Sequence, residues 1–381
     1  METTEYNRMI EYAPPEWCRK LKVMPKFRIQ LAMTPTPIHE WKIKDIPENF
    51  QLFVKRDDLT GCSLSGNKVR KLEFLLADAK AKGCKSVITR GSTQSNHARS
   101  TLIAAKQVGI DCHLILRDIN ENCTTTVPSG NFLLMESSNP NIYLLPCTPF
   151  NYEQALAKQN VLRNHIRKTT GNEPYCIPPG GDTEIGVYGY IQAWEEMMQQ
   201  KIDGNFDDVV VATGTSGTIC GLAIGNYLTG SKLKLHGILV SHEEEMVHNL
   251  INEKLRIFGL DARSQDVVDI IEGHAGGGYN VFTKEEIAYY LEIAKTTGIY
   301  CDPVYVGKAI KGLMDELKNN PKRFKGERIL FIHTGKRRHI WNDGHKQCTV
   351  YRRAGKIKSN QTMERSISRR RLKNFHFISS F

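Results

Sequence analysis

The amino-acid sequence predicts an α/β fold with parallel-rich sheets flanked by helices, and three observations carry that prediction. Short runs rich in Val, Ile and Leu alternate with longer stretches of helical spacing, the order that builds parallel βαβ units. The runs are apolar at consecutive positions, as strands are when helices cover both faces of a sheet. Turns rich in Gly, Ser, Thr and Asn follow strands and open helices. At 381 residues the chain is long enough for two domains.

Taken in order, a helix opening at Lys68 carries Leu72, Leu75 and Leu76 on one face. Residues 86–90 read as a strand and 97–108 as a helix. The run 112–116 is a second strand, with 132–135 inside a helix behind it. A third strand at 141–145 precedes a helical 152–168. Residues 208–212 form a strand, a helix follows Thr218, and 235–240 is another strand. Helices are expected near 242–256, 283–297 and 307–318, and 328–332 is the last strand. Beyond 335 the chain changes character. Lys336-Arg-Arg, Arg352-Arg and Arg369-Arg-Arg stand among few aliphatic residues. High charge with low hydrophobicity predicts disorder for 336–381.

Composition narrows the function. Hydrophobic residues make up 40% and charged residues 24%, an ordinary globular balance. No apolar run approaches the ~18 to 20 residues a membrane helix needs. The net charge of +11 arises entirely in the tail, since 336–381 hold 13 Lys+Arg against 2 Asp+Glu and the remainder is neutral. A polyanion-binding body is therefore not expected, and nucleic acid is an unlikely partner except through the tail. The 10 cysteines include no Cys-x-x-Cys pair, and the first residues lack a basic-then-apolar signal. These features predict a reducing compartment, the cytoplasm, with the mitochondrion left open. No metal is expected.

Three segments at strand-to-helix turns carry chemistry. Ser65-Gly-Asn-Lys68 opens a helix with a lysine where the dipole favours anions, a setting that disfavours the ammonium form and suits Schiff-base chemistry. Gly91-Ser-Thr-Gln-Ser-Asn-His97 packs hydroxyls, amides and an imidazole into one helix start, more than capping needs. Gln94, Ser95, Asn96 and His97 there could receive a carboxylate, and Ser95 could hydrogen-bond or exchange a proton. Thr213-Gly-Thr-Ser-Gly-Thr218 is a glycine and hydroxyl turn of the kind that cradles phosphate. It lacks the Gly-Lys-Ser/Thr ending of a nucleoside-triphosphate loop. A lysine, a carboxylate cup and a phosphate cup together point to pyridoxal phosphate.

At this point the chain resembles the D-cysteine desulfhydrase and 1-aminocyclopropane-1-carboxylate deaminase family of fold-type-II pyridoxal-phosphate enzymes. The resemblance runs from about Leu31 to Gly335. Its carriers are Lys55-Arg-Asp-Asp-Leu-Thr, Ser65-Gly-Asn-Lys, Gln94-Ser-Asn-His, Ala212-Thr-Gly-Thr-Ser-Gly-Thr, Gly278-Tyr, Asp302-Pro-Val-Tyr-Val-Gly-Lys and His333-Thr-Gly. It implies a large cofactor-binding domain from 1–66 and 180–335, a small domain at 67–179, and a homodimer acting on a small amino acid. By resemblance, Lys68 holds the cofactor as a Schiff base and Asn96 meets its ring hydroxyl. Thr213, Gly214, Thr215, Ser216, Gly217 and Thr218 hold the phosphate, while Tyr279 and Tyr305 face the substrate as acid/base or orienting groups.

One position bears on the reaction. Deaminases of the family carry a glutamate after Asp-Pro-Val-Tyr, beside the pyridine nitrogen, and here Val306 stands there. A hydroxyl then has to meet that nitrogen, and Thr334 matches. The pyridine stays neutral and is a weaker electron sink, which suits loss of a thiolate better than opening a cyclopropane ring. The expected reaction is β-elimination of D-cysteine to pyruvate, hydrogen sulfide and ammonia. The alternatives are ring-opening deamination and a catalytically impaired, cofactor-binding variant whose basic tail holds an anionic partner.

Overall fold

The computed structural model describes residues 6–117, 130–145, 152–241, 243–335 and 375–377. In chain order, β1 (Met9–Glu11), β2 (Phe27–Ile29), β3 (Ile38–Glu40) and β4 (Gln51–Lys55) come first, then α1 (Asn67–Ala81). Next come β5 (Ser86–Ser92), α2 (Asn96–Gln107), β6 (Asp111–Arg117), α3 (Gly130–Ser137), β7 (Asn141–Leu145), α4 (Tyr152–Thr170) and β8 (Tyr175–Ile177). The chain continues through α5 (Glu184–Gln199), β9 (Asp208–Thr213), α6 (Gly217–Thr229), β10 (Lys234–Leu239), α7 (Glu244–Phe258), α8 (Ser264–Val267) and β11 (Asp269–Ile271). Helices α9 (Lys284–Thr297) and α10 (Val306–Asn319), then strands β12 (Arg328–Ile332) and β13 (Phe375–Phe377), complete it.

Two main sheets result. The larger has the order β11-β10-β9-β12-β4-β3 and is parallel except at β3, where His39 pairs antiparallel with Val54. The smaller, β13-β7-β6-β5-β8, is parallel throughout. Every residue of β9 is buried, as its uninterrupted Val-Val-Val-Ala demands of a central strand with helices on both faces. Most of 336–381, expected to be disordered, lies outside the described residues. Phe375–Phe377 corrects that expectation for three positions by pairing with β7, Phe375 opposite Ile142. An edge strand offers unpaired backbone groups that an extended segment can satisfy.

Helix α5 was not anticipated. It lies between α1 and α6, and glycines set how closely they pack. A Cβ on Gly189 of α5 would stand 2.6 Å from the Arg70 backbone, and one on Gly225 of α6 would stand 2.3 Å from the Trp194 ring. The first approach seats α1 against α5, and α1 carries Lys68 in its first turn.

At the amino ends of the large-sheet strands, His236 of β10 is completely buried between two carboxylates. Its Nε2 lies 2.7 Å from Asp208 Oδ1 and its Nδ1 2.9 Å from Asp269 Oδ2. Burial opposes the imidazolium, but the two carboxylates outweigh it and raise the pKa above 6.5. A pKa raised by folding contributes stability that is complete below the unfolded value and is lost as pH rises through the folded one. The denaturation midpoint should therefore fall as pH rises above about 6.5, and less steeply in His236→Gln. Parallel curves would contradict this role.

Candidate active site

Four helices begin on one rim, at or beyond the carboxyl ends of parallel strands, where α/β folds place ligands. Helix α1 starts at Gly66, whose φ of 92° favours glycine. A Cβ there would also stand 2.7 Å from the Gly335 carbonyl. Asn67 N–H donates to the Thr334 carbonyl at 2.9 Å, and its Nδ2 donates to Thr218 Oγ1 at 3.1 Å. Lys68 follows, half-buried in the first turn. The start of α1 is thereby tied to the loop after β12 and to the start of α6.

Beneath Lys68 lies a buried ionic network that sequence reasoning missed. Arg70 Nη2 meets Asp57 Oδ1 at 2.8 Å and its Nη1 meets Glu196 Oε2 at 2.8 Å. Lys55 Nζ also pairs with Glu196 and donates to the Thr36 carbonyl at 2.8 Å. Tyr190 donates to Asp57 at 2.7 Å. Burial alone would raise the Asp57 carboxyl, but Arg70 overrides it and brings its pKa down to about 2. The Lys55-Arg-Asp-Asp motif is thus the footing of α1.

The start of α2 divides the residues grouped there by the sequence. Ser95 caps the helix, its Oγ accepting from Ala98 N–H at 3.1 Å, which leaves the hydroxyl proton to donate. Asn96 Oδ1 accepts from Arg99, which turns the amide nitrogen toward the Gly335 carbonyl 3.2 Å away. Arg99 also donates to the Ser63 carbonyl at 2.8 Å and so clamps the turn before Lys68. Gln94 bridges to α3, its Oε1 accepting from Asn131 N–H at 3.0 Å. His97 is turned inward. Thr89 gives its proton to the Ile177 carbonyl, so His97 Nε2 donates to Thr89 Oγ1 at 2.9 Å. Burial, then the nearby Lys68 and Lys71 charges, hold this imidazole well below its ordinary pKa and therefore neutral.

The turn from β9 to α6 is similarly divided. Thr213 is buried in the sheet, its hydroxyl 2.7 Å from where a Cβ on Gly237 would sit. Thr215 faces Gly180, and Thr218 accepts from Asn67. Ser216 precedes α6 but makes no capping hydrogen bond. The first N–H groups of α6 are therefore left to a ligand. Lys71, one turn after Lys68 on the same face of α1, reaches this point: a Cβ on Gly217 would be 2.8 Å from its Nζ and 2.7 Å from Asp182 Oδ1. Burial lowers the Lys71 pKa to about 8. The i, i+3 spacing from Lys68 was a signal available in the sequence.

Helix α10 supplies the opposite wall. Asp302 accepts from the N–H groups of Val304, Tyr305 and Val306 at 3.0, 2.8 and 3.1 Å, fixing its first turn. Tyr305 lies over the glycine turn, its Cε1 3.0 Å from where a Cβ on Gly214 would sit. Its hydroxyl is 3.4 Å from that of Tyr279. Burial, reinforced by Tyr279, raises the Tyr305 pKa, so the phenol keeps its proton. Lys308 donates to the Gly278 carbonyl at 2.6 Å and to that of Ala275, pinning the loop that carries Tyr279. Val306 is fully buried and belongs to the same apolar cluster as Ala212 and Val240.

The rim can be tested against an aldehyde cofactor carrying a phosphate. Side chains at Gly214 or Gly217 would fill the cradle at the start of α6, and a buried ammonium stands beside uncapped N–H groups. That donor set fits a phosphate, and Lys68 is the amine on the same rim. Comparisons agree. Residues 29–335 match the family described as pyridoxal-phosphate dependent enzyme. The chain is 39% identical over 330 residues to the mitochondrial bifunctional D-cysteine desulfhydrase/1-aminocyclopropane-1-carboxylate deaminase of Arabidopsis thaliana, covering 85% of this chain and 82% of that one. It is 33% identical over 313 residues to D-cysteine desulfhydrase of Klebsiella pneumoniae, covering 81% and 93%. The crystal structure of an ACC deaminase homologue superimposes with a TM-score of 0.72 at 33% identity, covering 85% of this chain and 95% of that one. The chain belongs to the pyridoxal-phosphate-dependent enzyme family.

Proposed function

We propose that this enzyme converts D-cysteine and water to pyruvate, hydrogen sulfide and ammonia, as a cytoplasmic homodimer. The observation that carries the choice is Val306. At the start of α10, beside Tyr305, the chain presents a fully buried apolar side chain where ring-opening chemistry calls for a carboxylate. Thr334 then supplies the hydroxyl for the pyridine nitrogen. Its backbone is fixed by the bond from Asn67.

When bound, pyridoxal phosphate supplies the electron sink that makes an amino acid's α-proton acidic. The residues around it have separable tasks. Ser95 and the N–H groups at the start of α2 receive the substrate carboxylate. Asn96, oriented by Arg99, offers an N–H to the ring oxygen. Tyr305 retains its proton and so acts as a donor rather than a base. Removal of the α-proton falls to the Lys68 amine once substrate has displaced it. Tyr305, with Tyr279, orients the departing sulfur and can protonate it.

This reading predicts a split in one variant. Val306→Glu should raise the kcat/KM ratio for 1-aminocyclopropane-1-carboxylate over D-cysteine by at least about tenfold, the effect of about 1.4 kcal/mol at the ring nitrogen. An unchanged ratio, with cofactor still bound, would remove the argument from Val306.

A further inference from the structure

We propose that Lys254, on α7, is a positioning residue for the cofactor's phosphate: it draws the Ser216 hydroxyl away from the start of α6 and makes the cluster beneath that start net positive. Lys254 is 5% exposed and Lys71 1%. Lys254 Nζ lies 3.0 Å from Asp182 Oδ1 and donates to Ser216 Oγ at 3.0 Å. Ser216 in turn donates to Asp182 Oδ2 at 3.1 Å. A serine directly before a helix ordinarily caps it. Here its oxygen is taken by an ammonium and its proton by a carboxylate, and it makes no capping bond.

The charge balance points the same way. Lys71 reaches the cluster from α1 and also donates to the Gly180 carbonyl at 3.3 Å. Two ammonium groups and one carboxylate leave a surplus of positive charge under the uncapped N–H groups of Gly217, Thr218 and Ile219. A phosphate dianion at the helix start offsets that surplus and satisfies those donors together. Without Lys254, Asp182 would draw Lys71 inward, and Ser216 would be released to cap α6 in the ligand's place.

The test contains no amino-acid substrate, so its outcome is independent of which reaction the enzyme performs. Full-length holoenzyme is stripped of cofactor, and the dissociation constants of pyridoxal phosphate and of pyridoxal are measured by absorbance for wild type, Lys254→Met, Lys254→Gln and Lys254→Arg. The Met and Gln variants should bind pyridoxal phosphate about tenfold more weakly and pyridoxal within about twofold of wild type, with Arg restoring most of the loss. Equal weakening of both ligands would reduce Lys254 to a packing role and overturn the proposal, as would undiminished affinity for pyridoxal phosphate. Should the Met variant fail to fold, the Gln variant keeps a donor to Ser216 without the charge. Inorganic phosphate should raise the melting temperature of the wild-type apoprotein more than that of Lys254→Gln, and equal rises would also overturn the proposal.

Discussion

Lys68→Ala should lower kcat/KM on D-cysteine by roughly 10³-fold or more, because in the proposed mechanism one amine both attaches the cofactor and accepts the α-proton. The visible absorption of the bound cofactor should be lost with it. Folding should survive, since Lys68 is only half-buried in the first turn of α1 and alanine is a strong helix former. The control is Lys71→Ala, one turn further on. It should weaken cofactor binding through the phosphate while leaving a covalently attachable lysine in place. Turnover retained in Lys68→Ala would show that the chemistry lies elsewhere on the rim.

The largest expected stability effect lies beneath that lysine. Arg70→Met takes from Asp57 its ion-pair partner and leaves Lys55 alone to balance two buried carboxylates, and should cost about 3–5 kcal/mol, the usual result of removing one partner from a buried ion pair. Denaturant midpoints at neutral pH measure it directly. The same network predicts acid sensitivity with a definite sign. The folded Asp57 pKa is about 2 against 3.8 for the free side chain, so its contribution is present above 3.8 and is lost as pH falls through about 2. A loss below about 1 kcal/mol in Arg70→Met would mean that packing, and not charge pairing, seats α1.

How much of this was legible in the sequence varied with the physics involved. The strands expected at 141–145 and 328–332 coincide with β7 and β12, because uninterrupted apolar runs flanked by polar turns leave one solution. The helix expected after Thr218 begins at Gly217, and the one at 283–297 begins one residue later behind a Thr283–Glu286 capping box. Helix α5 was invisible for the opposite reason. Tyr188, Tyr190 and Trp194 are all buried together with two glycines, so only a narrow polar stripe at Gln192, Glu195 and Gln199 marks a helical period.

The site was legible as turns and not as partners. Lys68, Asn96, Thr218, Tyr305 and Thr334 do lie on one rim, linked through Asn67, Gly66, Gly335 and Gly214. Several residues grouped with them turn away from it. His97 faces Thr89, Thr213 faces the sheet, and Ser216 faces Asp182 and Lys254. Spacing along a helix start cannot tell which hydroxyl points to a ligand and which to the core. The charged residues that hold the rim in place were harder still. Arg70 and Glu196 are 126 residues apart, and a run of charge reads as a solvated surface until a distant partner is known.

The measurement that tests the central claim most directly is product release by the full-length holoenzyme from D-cysteine, with L-cysteine and 1-aminocyclopropane-1-carboxylate as parallel substrates. The account predicts pyruvate and sulfide in equal amounts from the D-enantiomer, far less from the L-enantiomer, and little ring opening. Silence on D-cysteine together with efficient ring opening would contradict it and assign the rim to the deaminase reaction despite Val306.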